Sequence, residues 1–116
     1  MDFTPKARWV KDGHHTPDPK ESNYAGVVSK HSVRVDLTYA ALNDVDVTAA
    51  DIQNAYLQAP YSDKHYVICG KEFGLEHEGK ISLIRRALYS GKLAGRDFWT
   101  QLRSCINFLG IKIMLV

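Results

Sequence analysis

Asp51 and Tyr56 are the residues of this 116-residue chain best placed to do chemistry, in the run Asp51-Ile52-Gln53-Asn54-Ala55-Tyr56-Leu57-Gln58-Ala59-Pro60. A carboxylate at a strand end, followed five residues later by an aromatic ring on a tight turn, can present both groups to one pocket. Carboxylate oxygen is the hard ligand that Mg²⁺ prefers. The same placement also suits an aspartate that merely caps a short helix. The histidines raise a second metal chemistry, but His14-His15, His31, His65 and His77 follow no zinc spacing. His65 and Cys69 share a strand face roughly 13 Å apart, too far for one tetrahedral ion. The histidines therefore read as surface or loop residues. Cys69 and Cys105 stand far apart and read as free thiols of a reducing compartment, with a single disulfide as the alternative. Gly91-Lys92 lacks the rest of a phosphate loop. Trp9, Trp99 and Tyr66 can stack on bases, although core packing is the commoner use of such rings.

These groups need elements to hold them. Gly13 to Pro19 is loop chemistry, since each proline restricts the residue before it. A helix is expected from a Ser32 cap through Val33, Leu37, Ala40 and Ala41 to Asn43-Asp44. Val45 to Ile52 alternates β-branched with polar or small residues, as a strand does. Asn54 to Leu57 reads as a helical turn that Pro60 ends. Strands follow at His65–Cys69, closed by Gly70, and at Lys80–Arg85. The strongest helix runs from about Arg96 to Leu109, with Phe98, Leu102, Cys105 or Ile106, and Leu109 as its apolar stripe and Gly110 as its end. That order predicts an α+β fold rather than a βαβ series. The final Ile111-Lys112-Ile113-Met114-Leu115-Val116 has no polar tail and reads as an interrupted element.

Composition fits an ordinary globular chain, with 45% hydrophobic and 24% charged residues. One domain at most is expected at this length. No apolar run approaches the roughly 18 residues of a spanning helix. Met1-Asp2-Phe3-Thr4-Pro5-Lys6 lacks the apolar core of a secretory signal. The net charge of +2 hides an uneven distribution, with +2 over residues 1–35, −6 over 36–79 and +6 over 80–116. An acidic middle beside a basic end suits a metal site next to a polyanion track, or two solvated faces that differ in sign.

The Asp51 segment resembles the first catalytic motif of reverse transcriptases, and the chain as a whole resembles the polymerase of copia-type retrotransposons. Lys6-Ala7-Arg8-Trp9-Val10 is similar to the family's Lys-Ala-Arg-Leu-Val strand. Gly13-His14 and Pro17-Asp18-Pro19-Lys20-Glu21-Ser22 resemble the loop after it in one branch. Val27-Val28-Ser29, Ser32-Val33-Arg34 and Ala40-Ala41-Leu42-Asn43-Asp44 resemble the helix before the catalytic strand. Ile68-Cys69-Gly70 and Glu72-Phe73-Gly74 follow in order, and then Arg86-Ala87-Leu88-Tyr89, Lys92 and Trp99 resemble the Ala-Leu-Tyr-Gly-Leu-Lys…Trp block. The blocks run from about residue 3 to residue 110.

The resemblance implies a partial right-hand polymerase fold: fingers and the first half of the palm, with short antiparallel strands packed by two amphipathic helices. Residues 1–116 form one partial domain, about 1–44 on the fingers side and about 45–116 in the palm. It implies an RNA-directed DNA polymerase that uses two Mg²⁺ ions and acts on an RNA template, a DNA primer and deoxynucleoside triphosphates. Asp51 and the backbone carbonyl of Ile52 then bind metal. Tyr56 is the steric gate under the sugar, Arg8 holds the triphosphate, and Lys92 lies near template or nucleotide. It further implies an intracellular, cytoplasmic setting, in a virus-like particle for an intact element. Ser90-Gly91 stands where the family has Gly-Leu. The Tyr- or Phe-Val-Asp-Asp hairpin that supplies the other carboxylates does not occur in the chain, nor do the thumb and ribonuclease H parts. Two-metal transfer needs ions about 3.5–4 Å apart, clamped by carboxylates from more than one strand. Polymerase activity is therefore not expected of this chain alone. The alternative is a non-catalytic nucleic-acid-binding remnant whose basic C-terminal helix contacts phosphate.

Overall fold

The computed structural model describes residues 4–112. The Ile113–Val116 end of the apolar tail lies outside the described residues. Helix α1 spans Lys30–Leu42, α2 Ala55–Gln58 and α3 Ala94–Phe108, while β1 is Tyr66–Ile68 and β2 Ile81–Leu83. Two short 3₁₀ turns, Gly13–His15 and Lys71–Phe73, complete the order.

Helix α1 is capped by Ser29, three residues before the expected Ser32 cap. The Ser29 hydroxyl accepts from the Ser32 N–H at 3.0 Å, satisfying one of the free amides of the first turn. At the other end the Asn43 side-chain amide donates to the Tyr39 carbonyl at 2.8 Å. Of its residues only Ala40 is buried. Val33, Leu37, Tyr39 and Leu42 are exposed, and α1 packs against no other helix or strand.

The pair β1–β2 is antiparallel, with Tyr66 opposite Leu83, Val67 opposite Ser82 and Ile68 opposite Ile81. The expected strand over Val45–Ile52 is not a strand. Residues 46–51 are exposed, have no regular secondary structure and make no backbone hydrogen bond with the described residues. Alternation prepared the segment for a sheet, but no described strand lies beside it to complete the ladder. The N-terminal strand expected over Lys6–Val10 is likewise reduced to a single bridge, Val10 with Tyr89, supported by the Lys11 N–H on the Tyr89 carbonyl at 2.9 Å.

The core is made of alanines. Ala59, Ala87 and Ala94 cluster at 0–2% exposure, with Tyr56, Tyr61 and Phe98 packed against them. Such small side chains let backbones approach directly: Ala87 N–H donates to the Ala59 carbonyl at 3.1 Å, and Pro60 bridges Arg86. Helix α3 thus packs on α2 and not on the sheet. The expectation of strands packed by two amphipathic helices needs that correction, since α1 packs on no element and α3 covers the helical turn. Phe108, Leu109 and Ile111, at and just beyond the end of α3, are exposed. The radius of gyration is 18.7 Å, against about 13 Å for a compact chain of this length.

Candidate functional site

Asn54 makes the turn that follows Asp51. Its φ of 53° lies in the left-handed region, which asparagine tolerates better than most side chains. One left-handed residue redirects the irregular segment into α2, so the exposed Asp51 and Ile52 precede the bend and Tyr56 follows it. The Tyr56 ring meets Tyr89 edge-on at 5.1 Å and Phe98 at 6.0 Å. Edge-to-face pairs at these separations are favourable beyond their burial. The Arg8 guanidinium lies over the Tyr89 ring at 5.4 Å. Residues 8, 56 and 89, far apart in sequence, therefore form one continuous cation–ring–ring contact.

Lys92 has a different engagement. Its ammonium donates to the Thr16 carbonyl at 2.7 Å and to the Asp18 carboxylate at 2.8 Å, fastening the N-terminal loop to the start of α3. That hydrogen bond and the ammonium charge hold the Asp18 carboxyl below its ordinary value. Arg96 repeats the pattern one turn along, donating to Glu21 and to the Ser62 hydroxyl.

Three features escaped the sequence. Tyr89 is the ring between Arg8 and Tyr56. Asp97 is buried and accepts from both the Ser62 N–H and the Ser62 hydroxyl at 3.0 Å. A first-turn acid in the strongest helix was the available signal for it. The third is a cluster in which Lys11 Nζ lies 2.6 Å from the Tyr61 hydroxyl and 2.7 Å from His65 Nδ1. Burial pushes the Lys11 ammonium below its usual value and the Tyr61 phenol above its own, and in each case Asp63 is the next cause, raising both. His65 is thus a half-buried hydrogen-bonding group and not a surface histidine. Cys69 is buried and Cys105 exposed, both as free thiols.

Among the described residues no group of three or more His, Cys, Asp or Glu is arranged to hold a metal ion. Asp51 is the single carboxylate of its turn, so the residues present do not form a two-ion site. No described helix is long and apolar enough to cross a membrane.

No protein-family model matches the chain, and no solved structure gives a significant match. The chain is similar to two polyproteins of Saccharomyces cerevisiae, the Transposon Ty1-BL Gag-Pol polyprotein and the Transposon Ty1-DR4 Gag-Pol polyprotein. Each alignment is 28% identical over 105 residues. It covers 89% of this chain and 6% of the polyprotein. Similarity to a retrotransposon Gag-Pol polyprotein therefore extends over most of the sequence, while the chain spans a small part of such a protein's length.

Proposed function

We propose that the chain is a fingers and palm segment of a retrotransposon reverse transcriptase, contributing to template-directed DNA synthesis only in company with further polymerase sequence. The observation that carries this reading is the Arg8–Tyr89–Tyr56 contact beside the Asp51 turn. A triphosphate-holding cation and a sugar-gating ring need a fixed separation, and one intervening ring supplies it. The motif order in the sequence and the similarity to Gag-Pol polyproteins support the same conclusion.

In this reading Asp51 and the Ile52 carbonyl provide part of a Mg²⁺ site, and the remaining carboxylates come from outside the chain. One aspartate does not clamp two ions, so Asp51 alone does not complete the metal site. The chain's own residues bind and orient. Arg8 binds phosphate oxygens by charge-assisted hydrogen bonds. Tyr56, held by Tyr89 and Phe98, excludes a 2′-hydroxyl by contact. Lys92 serves the template side indirectly by anchoring the loop that flanks α3.

The test is primer extension on an RNA template by this chain joined to a downstream Asp-Asp hairpin and thumb of a related polymerase. Asp51→Asn should abolish extension, and Tyr56→Val should let ribonucleotides in. Undiminished extension by Asp51→Asn would remove the reading.

A further inference from the structure

The Lys11–Tyr61–His65 cluster has no part in the polymerase reading, yet all three residues are rooted in paired backbone. The Lys11 N–H donates to the Tyr89 carbonyl at 2.9 Å, the Tyr61 N–H donates to the Arg85 carbonyl at 3.0 Å, and the His65 carbonyl accepts from the Ile84 N–H at 2.9 Å. Their side chains converge, with Lys11 Nζ 2.6 Å from the Tyr61 hydroxyl and 2.7 Å from His65 Nδ1, and the last two atoms 3.0 Å apart. A lysine ordinarily carries its ammonium out to water. This one is half-buried and lies over the Tyr61 ring at 4.9 Å. An ammonium only donates, so His65 accepts through Nδ1, which assigns the proton of the neutral ring to Nε2. The Asp63 carboxylate stands 3.5 Å from the same Nδ1.

Against the cluster lies a cavity of about 260 Å³, walled by Trp9, Val67, Ile84 and Leu88 as well as by Lys11 and His65. The Phe73 ring backs Trp9 at 4.7 Å. Asp12 borders the same space, but its carboxylate is occupied by the His14 N–H and the His15 ring. Ligand pockets run to about 300–1,000 Å³, so this one suits a single ring rather than a nucleotide. Its walls are largely apolar, and among the groups that meet them are an amine and a base, with the Tyr61 phenol in contact with both.

We propose that this is a carbonyl-capture site, in which Lys11 forms an imine with a small aromatic aldehyde whose ring fills the apolar cavity. An ammonium has no lone pair to attack with, so the first event is transfer of one Lys11 proton to His65 Nδ1, with Asp63 beside the imidazolium that results. Burial pushes the Lys11 ammonium below its usual value, Asp63 opposes this, and Lys92 adds to it. Desolvation and a second cation are both means of freeing a lysine lone pair. The Nζ lone pair then makes the C–N bond as the carbonyl π bond gives its electrons to oxygen. That oxygen takes the Tyr61 phenol proton, and the phenolate recovers one from the attacking nitrogen. His65 returns its proton to the carbinol oxygen, the C–O bond breaks, and water leaves a protonated imine. One ammonium and one aldehyde thus give one iminium and one water, with no change of oxidation state. None of Asp51, Tyr56 and Arg8 takes part, so failure here leaves the polymerase reading where it stands.

The test is incubation of the full chain with benzaldehyde and cyanoborohydride, which reduces an imine to a stable benzylamine, followed by peptide mass spectrometry at each lysine. A positioned proton acceptor contributes about 10²–10⁴-fold, and in a cavity open to water Lys11 should be modified roughly tenfold faster than the exposed Lys64 and Lys71. The Lys11 rate should saturate with benzaldehyde concentration, as filling of a cavity requires, while the rates at Lys64 and Lys71 rise linearly. With formaldehyde, which has no ring to bury, the preference for Lys11 should fall by half or more. His65→Gln should lower the limiting rate at Lys11 about tenfold and leave the half-saturating concentration unchanged, a split that general loosening of the chain does not give. The first three readouts use the unaltered chain and stand whether or not His65→Gln folds. The proposal is overturned if Lys11 is modified no faster than Lys64 and Lys71, if its rate does not saturate, if formaldehyde shows the same preference, or if folded His65→Gln reacts as fast as the original chain.

Discussion

Replacing Asp97 by alanine should destabilise the chain well beyond the level of an ordinary surface change on α3. The carboxylate is 7% exposed and joins the first turn of α3 to the segment after Pro60 through the Ser62 N–H and hydroxyl, each at 3.0 Å. A hydrogen bond to a charged group contributes about 1.5–3 kcal/mol. Ser62 is itself exposed, so water replaces part of what it loses, and one such bond is the fair measure of the damage. An acid in the first turn of a helix adds about 0.3–1 kcal/mol against the helix dipole. The expected loss is therefore about 2–4 kcal/mol, a large part of the stability of any small domain. Asp97→Asn keeps one acceptor oxygen and should lose about half as much, the difference between charged and neutral acceptors. Urea unfolding followed by helical circular dichroism and by tryptophan emission reads both. A double-mutant cycle with Ser62→Ala should show coupling of at least about 0.5 kcal/mol. A loss below about 0.5 kcal/mol for Asp97→Ala, the level of an ordinary surface change, would refute the reasoning.

Ser90→Gly should stabilise by about 0.5–1 kcal/mol in the same urea assay. Ser90 has φ of 63°, where a side chain costs about 1–2 kcal/mol and glycine returns part of that gain as backbone entropy. Ala87→Leu should destabilise by about 1–3 kcal/mol or more, because Ala87 has no exposed surface and faces Ala59 and Ala94 at backbone distance. Thermal melts in alkaline buffer should show a decline that Tyr61→Phe lacks. Tyr61 holds its proton above 10.0 in the folded chain, so its contribution is complete below pH 10.0 and is lost as pH rises through the raised value. Lys11 has the opposite sign, its folded value being depressed, and stability from it grows as pH rises toward 10.5.

Local signals were legible in the sequence where a single segment decides its own structure. The α2 turn, the β1 and β2 strands and α3 follow from periodicity and from Pro60, Gly70 and Gly110, residues that stop elements wherever they stand. Ser29 rather than Ser32 caps α1 because the two serines are three apart, and only the first leaves an acceptor facing the second's amide. Val45–Ile52 failed for a different reason: alternation states that a segment suits a sheet, and pairing is a property of the neighbour. The candidate site was read in the sequence as residue types, Asp51, Tyr56 and Arg8. Tyr89 as the ring that joins two of them was not, since a contact between residues 8, 56 and 89 is set by the alanine core and leaves no local pattern. Lys92 and Asp18 were each visible, but their pairing across the fold was not.

The left-handed bend at Asn54 divides the site into parts of unequal freedom. Tyr56, on one side, is seated on a core of methyl groups and two rings. Asp51, on the other, ends an irregular segment that has no backbone hydrogen-bond partner among the described residues. Amide hydrogen exchange should separate them, with residues 46–51 exchanging at nearly the rate of an unfolded peptide and the α2–α3 contact protected. Any partner that engages Asp51 must first order that segment, at about 1–2 kcal/mol for each residue whose backbone it fixes. On the proposed reading, affinity at the carboxylate side would be set by entropy lost on binding, and selectivity at the ring side by shape already present.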